Sequence, residues 1–156
     1  MERANYLMQK LNLRPLEPEG GYFNEFYRSE IKGTIEGFPA NKSVGTIIYY
    51  MLVKGIYSFW HRLTIDESWH FHEGATVRVY IIEEDGNLRT VDLGNEEPSV
   101  VFPRGCWFAA ELKEGDYALM SCVCFPAFEY DHFELGNTQK MLEEFPQHSE
   151  VINKFK

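Results

Sequence analysis

The order of apolar and polar positions along the chain predicts many short strands between helical ends. Short segments rich in aromatic and β-branched residues recur and are separated by Gly, Pro, Asn and Asp, a pattern typical of a β-sandwich or barrel. The predicted strands are 22–28, 44–53, two segments within 55–74, 76–83, 88–93, 99–102, 106–112 and 117–125. Apolar residues at helical spacing predict helices within 2–13, 138–145 and 150–155, and Asn137 is a candidate N-cap.

The most informative part of this pattern is the stretch 55–74, in which two aromatic-rich segments flank a short polar turn. We predict a β-hairpin here. Residues two apart on a strand share a face, so Glu67, Trp69 and Phe71 point the same way. If His61 also points inward, an imidazole and a carboxylate meet in an aromatic-walled interior. That arrangement is typical of a functional site.

The opposite faces of these strands predict an interface. Trp60, His70, His72 and Trp107 are expected on the outside of the sheets. Exposed aromatic residues grouped on one face mark a surface that binds another protein. We therefore expect a homodimer that forms through a sheet face.

Length, composition and charge narrow the class of protein. A chain of 156 residues with 44% hydrophobic residues can build the core of one domain. The net charge of −9 argues against nucleic acid and anionic membranes as partners. Neither a membrane-spanning apolar run nor a signal-peptide pattern is present, and three cysteines in apolar segments are expected to be reduced. We expect a cytoplasmic protein.

Two motifs in this pattern resemble those of the cupin superfamily. The first motif is a glycine, five residues, His-x-His, three or four residues, Glu, six residues and a glycine. Gly55, His61, Glu67 and Gly74 occupy its positions, and Leu63 stands in place of the second histidine. The second motif, Pro-x-Gly-x-x-His, is similar to 103–108, where Phe108 replaces the histidine.

Three segments together resemble a cupin family of unknown function, the Cupin-5 type. They are E-G-G-Y-F at 19–23, H-R followed by D-E-S-W-H-F at 61–71, and P-R-G-C-W-F-A-A at 103–110. The resemblance covers about 11–146. It implies a mainly β fold, the cupin double-stranded β-helix (an RmlC-like jelly-roll barrel) with short terminal helices. We expect a single cupin domain over 1–156, with the N-terminal helix in 1–13, the barrel in 22–133 and the C-terminal helices in 137–156.

The missing ligands imply a metal-independent protein without a cofactor. His61 would be a general base and Glu67 would orient it, so these two are the candidate catalytic residues. Metal-free cupins include epimerases of dTDP-4-dehydro-6-deoxyhexoses, in which a barrel histidine removes a proton next to a carbonyl. Their G-x-F-x-E segment is similar to 21–25, although Gly20 stands where they carry an arginine. We predict a small-molecule pocket with epimerase- or isomerase-like chemistry.

The predicted ligand is polar or anionic with a ring to stack, such as a nucleotide or nucleotide-sugar. Arginine binds phosphate or carboxylate through its planar fork, and Arg28 is preferred because it follows the E-G-G-Y-F segment. The candidate ligand-binding residues are Tyr22, Phe23, Glu25, Arg28, Tyr49, Phe59, Trp69, Phe71 and Phe108.

Three alternatives stay open at this point. In the first, His61 and Glu67 hold a divalent metal with another ligand, and the protein is a metal-dependent dioxygenase or isomerase. In the second, the cupin binds its ligand without catalysis. In the third, His61 and Glu67 form a structural pair in the core.

Overall fold

Two antiparallel sheets form the body of the protein in the computed structural model, which describes residues 1–156. In chain order the elements are α1 (Glu2–Lys10), β1 (Arg14–Pro15), β2 (Tyr22–Arg28), β3 (Lys32–Gly33), β4 (Lys42–Ser43), β5 (Thr46–Val53), β6 (Ser58–Leu63), β7 (Asp66–Gly74), β8 (Val77–Ile82), β9 (Leu88–Leu93), β10 (Ser99–Phe102), β11 (Trp107–Leu112), β12 (Tyr117–Phe125), β13 (Phe133–Leu135), α2 (Thr138–Glu144) and α3 (Ser149–Lys154). Single 3-10 turns lie at Tyr130–His132 and Pro146–His148.

The strands are arranged as a jelly roll. One sheet has the order β1-β2-β5-β12-β7-β10 and the other β13-β6-β11-β8-β9, while β3 and β4 form a separate ribbon. The main core lies between the two sheets. Period-2 alternation builds it: Val77, Val79 and Ile81 of β8 are completely buried, whereas Arg78 and Tyr80 are partly exposed. The predicted fold class, a mainly β barrel with short terminal helices, is confirmed.

The predicted hairpin at 55–74 does not form. β6 pairs with β11 and β13 in one sheet, whereas β7 pairs with β12 and β10 in the other. The chain therefore crosses between the sheets at 64–65. Alternation along a strand specifies which side chains share a face but not which strand lies alongside, so two strands separated by a short turn can belong to different sheets.

The C-terminal helices cover the outer face of the five-stranded sheet. Met141 of α2 and Ile152 of α3 pack with Trp60 and Trp107, which are only 2% and 5% exposed. The expectation that these tryptophans lie on the surface is therefore wrong, because amphipathic helices need an apolar surface and this sheet face provides one. Asn137 caps α2 as predicted, since its side chain accepts a hydrogen bond from the Lys140 N–H.

The N-terminal helix covers only part of the outer face of the six-stranded sheet. Ala4 and Leu7 of α1 pack against Met51 and Leu119 at one end of that face. His72, farther along it, remains exposed. None of the three helices has both the length and the apolar character needed to cross a membrane.

Candidate functional site

A cavity of about 250 Å³ lies beside the inner face of the six-stranded sheet. Its walls come from β2, β5, β7 and β12, from the turn before β2 and from the segment after β12. The lining residues are Leu16, Glu19, Phe23, Glu25, Arg28, Thr46, Ile48, Glu67, Cys122, Cys124, Phe128, Glu129 and Tyr130. Apolar walls with a few converging polar groups are typical of a small-molecule site.

Glu67 is the most buried carboxyl group of this cavity, with 8% exposure. The Trp69 Nε1–H donates to its Oε1 at 3.0 Å, and the Cys124 thiol donates to its Oε2 at 3.3 Å. Burial, reinforced by the charge of Glu19, raises the pKa of Glu67 to about 8 against the opposing effect of these two hydrogen bonds. Glu67 is therefore mostly protonated at neutral pH.

A double-glycine turn brings Glu19 to the same cavity. Gly20 has φ +105°, and a Cβ on it would lie 2.0 Å from the Tyr57 carbonyl oxygen, so only glycine fits. The Tyr50 hydroxyl donates to the Gly20 carbonyl at 2.7 Å, and the Phe59 N–H donates to the Glu19 carbonyl at 2.8 Å. These contacts hold the turn against β5 and β6, and they give a structural reason for the E-G-G segment.

Two residues of β6 hold the Glu19 side chain. The Ser58 hydroxyl donates to Glu19 Oε1 at 3.1 Å, and His61 Nε2 lies 3.7 Å from the same oxygen. Ser58 and His61 are three apart, so regular alternation would place them on opposite faces. A register shift between β6 and β11 adds one residue to β6 at this point and turns both inward.

His61 points inward as predicted, but it lies behind the cavity wall. Its side chain is 1% exposed, and the Phe108 ring centroid is 4.1 Å from its own. Nδ1 is 2.7 Å from the Phe59 carbonyl oxygen, which can only accept, so Nδ1 carries a hydrogen and Nε2 faces Glu19. The carboxyl group that His61 Nε2 faces is thus that of Glu19, and no hydrogen bond or ion pair joins His61 to Glu67.

Arg28 lines the cavity, and four of the five N–H donors of its guanidinium are bound to protein acceptors. Its Nη2 is 2.9 Å from Glu25 Oε1, and its Nη1 is 2.7 Å from Glu129 Oε1. Nη2 also donates to the Phe128 carbonyl at 2.9 Å. Arg28 therefore ties the segment after β12 to β2, and an anionic ligand would have to displace a carboxylate to make a bidentate contact with it.

Two cysteines of β12 also line the cavity, and the sequence analysis did not assign them to the site. Cys122 and Cys124 are two apart on one strand, so they share a face, and this spacing was the signal that could have placed them together. Burial raises the pKa of each thiol well above its ordinary value. Both remain protonated at neutral pH and are poor nucleophiles.

The structure separates the candidate ligand-binding residues into three groups. Phe23, Glu25 and Arg28 line the cavity together with Glu67. Trp69, Phe71 and Phe108 belong to the core between the sheets and are not among the lining residues. Tyr22 and Tyr49 pack at the cluster beneath α1, and Phe59 packs at the cluster beneath the C-terminal helices, so these three lie away from the cavity wall.

Backbone irregularity explains part of this difference. Regular alternation along β2 would place Arg28 with Tyr22, away from Glu25. A register shift between Glu25 and Tyr27 instead brings Arg28 to the side of Glu25. The sequence analysis also missed Glu19, Phe128, Glu129 and Tyr130, which reach the cavity from outside the long strands.

The residues at the cupin metal positions do not fit a metal ion. Leu63 has no donor atom and is 4% exposed in an apolar cluster. The Phe108 ring stacks on Phe102 at 3.9 Å between centroids, where a histidine ligand would otherwise stand. No three His, Cys, Asp or Glu side chains converge as metal ligands. A transition metal needs about three such donors, and only His61 and Glu67 remain at these positions.

Comparison with known proteins identifies the fold and the family. The model of the family described as Cupin superfamily (DUF985) matches residues 5–136. A structural-genomics target protein from Shewanella oneidensis is 34% identical over 98% of this chain and 96% of its own, with a TM-score of 0.88. A hypothetical protein from Leishmania major is 29% identical over 97% of both chains, with a TM-score of 0.89. Oxalate decarboxylase from Bacillus subtilis, at 18% identity over 93% of this chain and 37% of its own and a TM-score of 0.59, shares the fold alone. No curated protein matches the chain.

Proposed function

The chain belongs to the Cupin superfamily (DUF985), a cupin family of unknown function, and on this premise we propose that it binds a small polar molecule and transfers a proton without a metal. The reaction is an isomerisation or epimerisation next to a carbonyl group, with Glu67 as acid and Glu19 as base. The observation that carries the proposal is the pair of neighbouring carboxyl groups, of which Glu67 is buried and Glu19 is 13% exposed. Environments that keep one carboxyl protonated beside a charged one are typical of acid–base catalysis.

The step requires only these two carboxyl groups. Glu19 takes the hydrogen from the carbon next to the carbonyl, and the electron pair of that C–H bond forms a C=C bond. The carbonyl π electrons move to the oxygen, which takes the hydrogen of Glu67. Glu19 then gives its proton to the former carbonyl carbon while the hydroxyl on the first carbon gives its hydrogen to Glu67, which yields the isomer and restores both groups. The epimer forms when water protonates the first carbon from the face opposite Glu19, the enol hydrogen returns to Glu67, and Glu19 releases its proton to water. The apolar core behind Glu67 strengthens its hydrogen bond to the oxygen.

His61 has a supporting role in this proposal. It is too buried to reach a ligand in the cavity, and its Nε2 faces Glu19 Oε1 at 3.7 Å. The Ser58 hydroxyl holds the Glu19 carboxylate in one orientation, and a hydrogen on His61 Nε2 would stabilise the negative charge of that carboxylate. The predicted base is therefore replaced by the carboxylate next to it.

Deuterium exchange tests the proposal. Small aldoses, ketoses and hydroxyketones are incubated with the protein in D₂O, and incorporation next to the carbonyl is followed by proton NMR. We expect incorporation with the wild type and a loss of about 10²- to 10⁴-fold with Glu67→Gln and Glu19→Gln. Glu96→Gln, which removes an exposed carboxylate outside the cavity, is the matched control.

Two results would contradict this mechanism. Exchange that persists in both cavity variants would show that neither carboxyl transfers the proton. Ligands that bind the wild type without exchange, and bind Glu67→Gln equally well, would favour the non-catalytic binding cupin.

Arg28 supports a second candidate, a nucleotide-sugar ligand. The cavity of about 250 Å³ lies below the roughly 300–1,000 Å³ of typical ligand pockets, so it holds a sugar ring while the nucleotide stays outside. Arg28 would then exchange the exposed Glu129 for a phosphate. In a thermal-shift experiment with dTDP and UDP-glucose, this candidate requires a rise in melting temperature that Arg28→Ala abolishes. No rise, or a rise that survives in Arg28→Ala, counts against it.

A further inference from the structure

We propose that the cavity selects a ligand that carries a protonated amine together with an oxygen acceptor, such as an amino sugar or a small amino alcohol. This inference rests on the proposed function, because it names the substrate class of the same site. It is carried by three features of the cavity: its charge, its aromatic rings and the partners of Glu67.

The charge of the cavity is negative even with Glu67 protonated. Glu19, Glu25 and Glu129 are three carboxyl groups around one guanidinium, that of Arg28. Arg28 bonds both Glu25 and Glu129, whereas Glu19 has no arginine or lysine partner and is only 13% exposed. A protonated amine would offset the excess of carboxyl groups over guanidinium groups in this cavity, where water is partly excluded.

Aromatic rings stand next to these carboxylates. Phe23 and Glu25 are two residues apart on β2, so their side chains share a face, and both line the cavity. Phe128 and Tyr130 pack edge to face with centroids 5.3 Å apart, and Tyr130 is 58% exposed. Carboxylates combined with aromatic faces recognise ammonium groups, because ring quadrupoles attract cations and add no charge of their own.

Glu67 adds the second element of the ligand. Its two protein partners, the Trp69 Nε1–H and the Cys124 thiol, are both donors to its oxygens. The acid hydrogen of this side chain, more than nine-tenths buried, is therefore left for an acceptor in the cavity. A hydroxyl or carbonyl oxygen of the ligand satisfies it, which also places that oxygen where the proposed proton transfer needs it.

Matched pairs of probes test the inference. Each pair differs only in an ammonium or a hydroxyl group: glucosamine and glucose, galactosamine and galactose, serinol and glycerol. Affinities are measured by calorimetry with the full-length protein at about pH 6.5, below the pKa of Glu67. In at least one pair we expect the amine to bind about 10-fold tighter or more, and added salt to reduce its affinity but not that of the alcohol.

Isosteric variants assign the preference to the cavity. Glu19→Gln keeps an acceptor for the Ser58 hydroxyl and removes the charge, so the amine should lose its advantage while the alcohol binds as before. Glu96→Gln, the same charge change outside the cavity, should leave the advantage intact. The salt dependence of the wild type decides the question if Glu19→Gln does not fold.

Equal or weaker binding of every amine, or no binding by any amine, would overturn the inference. Its failure is distinguishable from failure of the proposed function. If alcohols bind as well as amines while Glu67→Gln still abolishes deuterium exchange, the result supports the proposed proton transfer and contradicts the amine preference. If amines are preferred and no deuterium exchange occurs, the result supports the amine preference and contradicts the proposed proton transfer.

Discussion

Glu67 shows how a single residue combines stability and chemistry at this site. Its carboxyl group lies in an apolar wall with two donors and the nearby charge of Glu19. Burying a carboxyl without a compensating cation raises the energy of its ionised form, so the folded protein favours the acid. The same physical cause keeps Glu67 protonated at neutral pH, as the proposed proton transfer requires, and makes its burial destabilising as the pH rises above about 4.5.

The stability of the protein should therefore fall as the pH rises. Below about pH 4.5 Glu67 is protonated in both folded and unfolded chains. Between pH 4.5 and about 8 the unfolded chain ionises while the folded one keeps its proton, so the free energy of unfolding decreases with pH. The slope contributed by this one proton approaches about 1.4 kcal/mol per pH unit.

Urea unfolding at a series of pH values measures this effect. Glu67→Gln cannot ionise, so the difference in free energy of unfolding between it and the wild type should grow in favour of the variant from pH 5 to about 8, and then level off. Glu96→Gln should follow the wild type. Parallel curves for the wild type and Glu67→Gln would show that Glu67 ionises normally in the folded protein.

At the scale of elements, irregularities in two strands determine which side chains face the cavity and which lie just behind its wall. An extra residue in β6 turns Ser58 and His61 inward together, and a shift in β2 moves Arg28 to the side of Glu25. Bulges re-aim side chains in this way because they interrupt the alternation of faces. The C-terminal helices act on the opposite side of the five-stranded sheet, where they bury the aromatic cluster of Trp60.

A substitution at Phe155 tests how tightly the C-terminal helices pack on the five-stranded sheet. It is 3% exposed and its ring meets those of Tyr57, Trp60 and Tyr80 at centroid distances of 5.3, 6.1 and 5.4 Å. Phe155→Ala should lower the free energy of unfolding by about 3–5 kcal/mol, because it leaves a cavity among rings that cannot fully collapse. Leu135→Ala, at a side chain 41% exposed, should cost much less. Equal losses in urea unfolding would mean that the helices pack loosely on the sheet.

At the scale of the whole molecule, the two outer sheet faces differ. The helices cover one, whereas α1 leaves apolar side chains of the other in solvent, including Phe26 at 45% exposure and Val101 at 53%. The homodimer predicted from sequence stays a prediction, and its interface moves to this face because Trp60 and Trp107 are buried by their own chain. His70 and His72 of β7 lie on the same face.

Light scattering in solution tests the dimer. We expect twice the chain mass of 18.3 kDa for the wild type and a single chain mass for Phe26→Lys combined with Val101→Lys. Charges inside an apolar interface are costly to desolvate. Leu88→Lys, on β9 of the other sheet, should remain dimeric. A wild type with the mass of one chain would rule out the homodimer.

The sequence predicted only part of the candidate site, because some of its contacts join segments that are far apart in the chain. Phe23 and Glu25 were predicted together and lie together because they are two apart on one strand, whereas Arg28 joins them only through the register shift in β2. Glu19 was not predicted as the partner of His61, because the turn that carries it reaches β6 only through contacts with Tyr57 and Phe59. Alternation along a strand contains no information about such contacts.

The sequence by itself determined the family, the fold class and most strand positions. The predicted strands at 88–93, 99–102 and 117–125 coincide with β9, β10 and β12, because alternation and turn residues act locally. Only the tertiary structure decided that β6 and β7 belong to different sheets and which carboxylates share the cavity. Those features depend on packing between segments far apart in the chain, where bulges and covering helices override the local pattern.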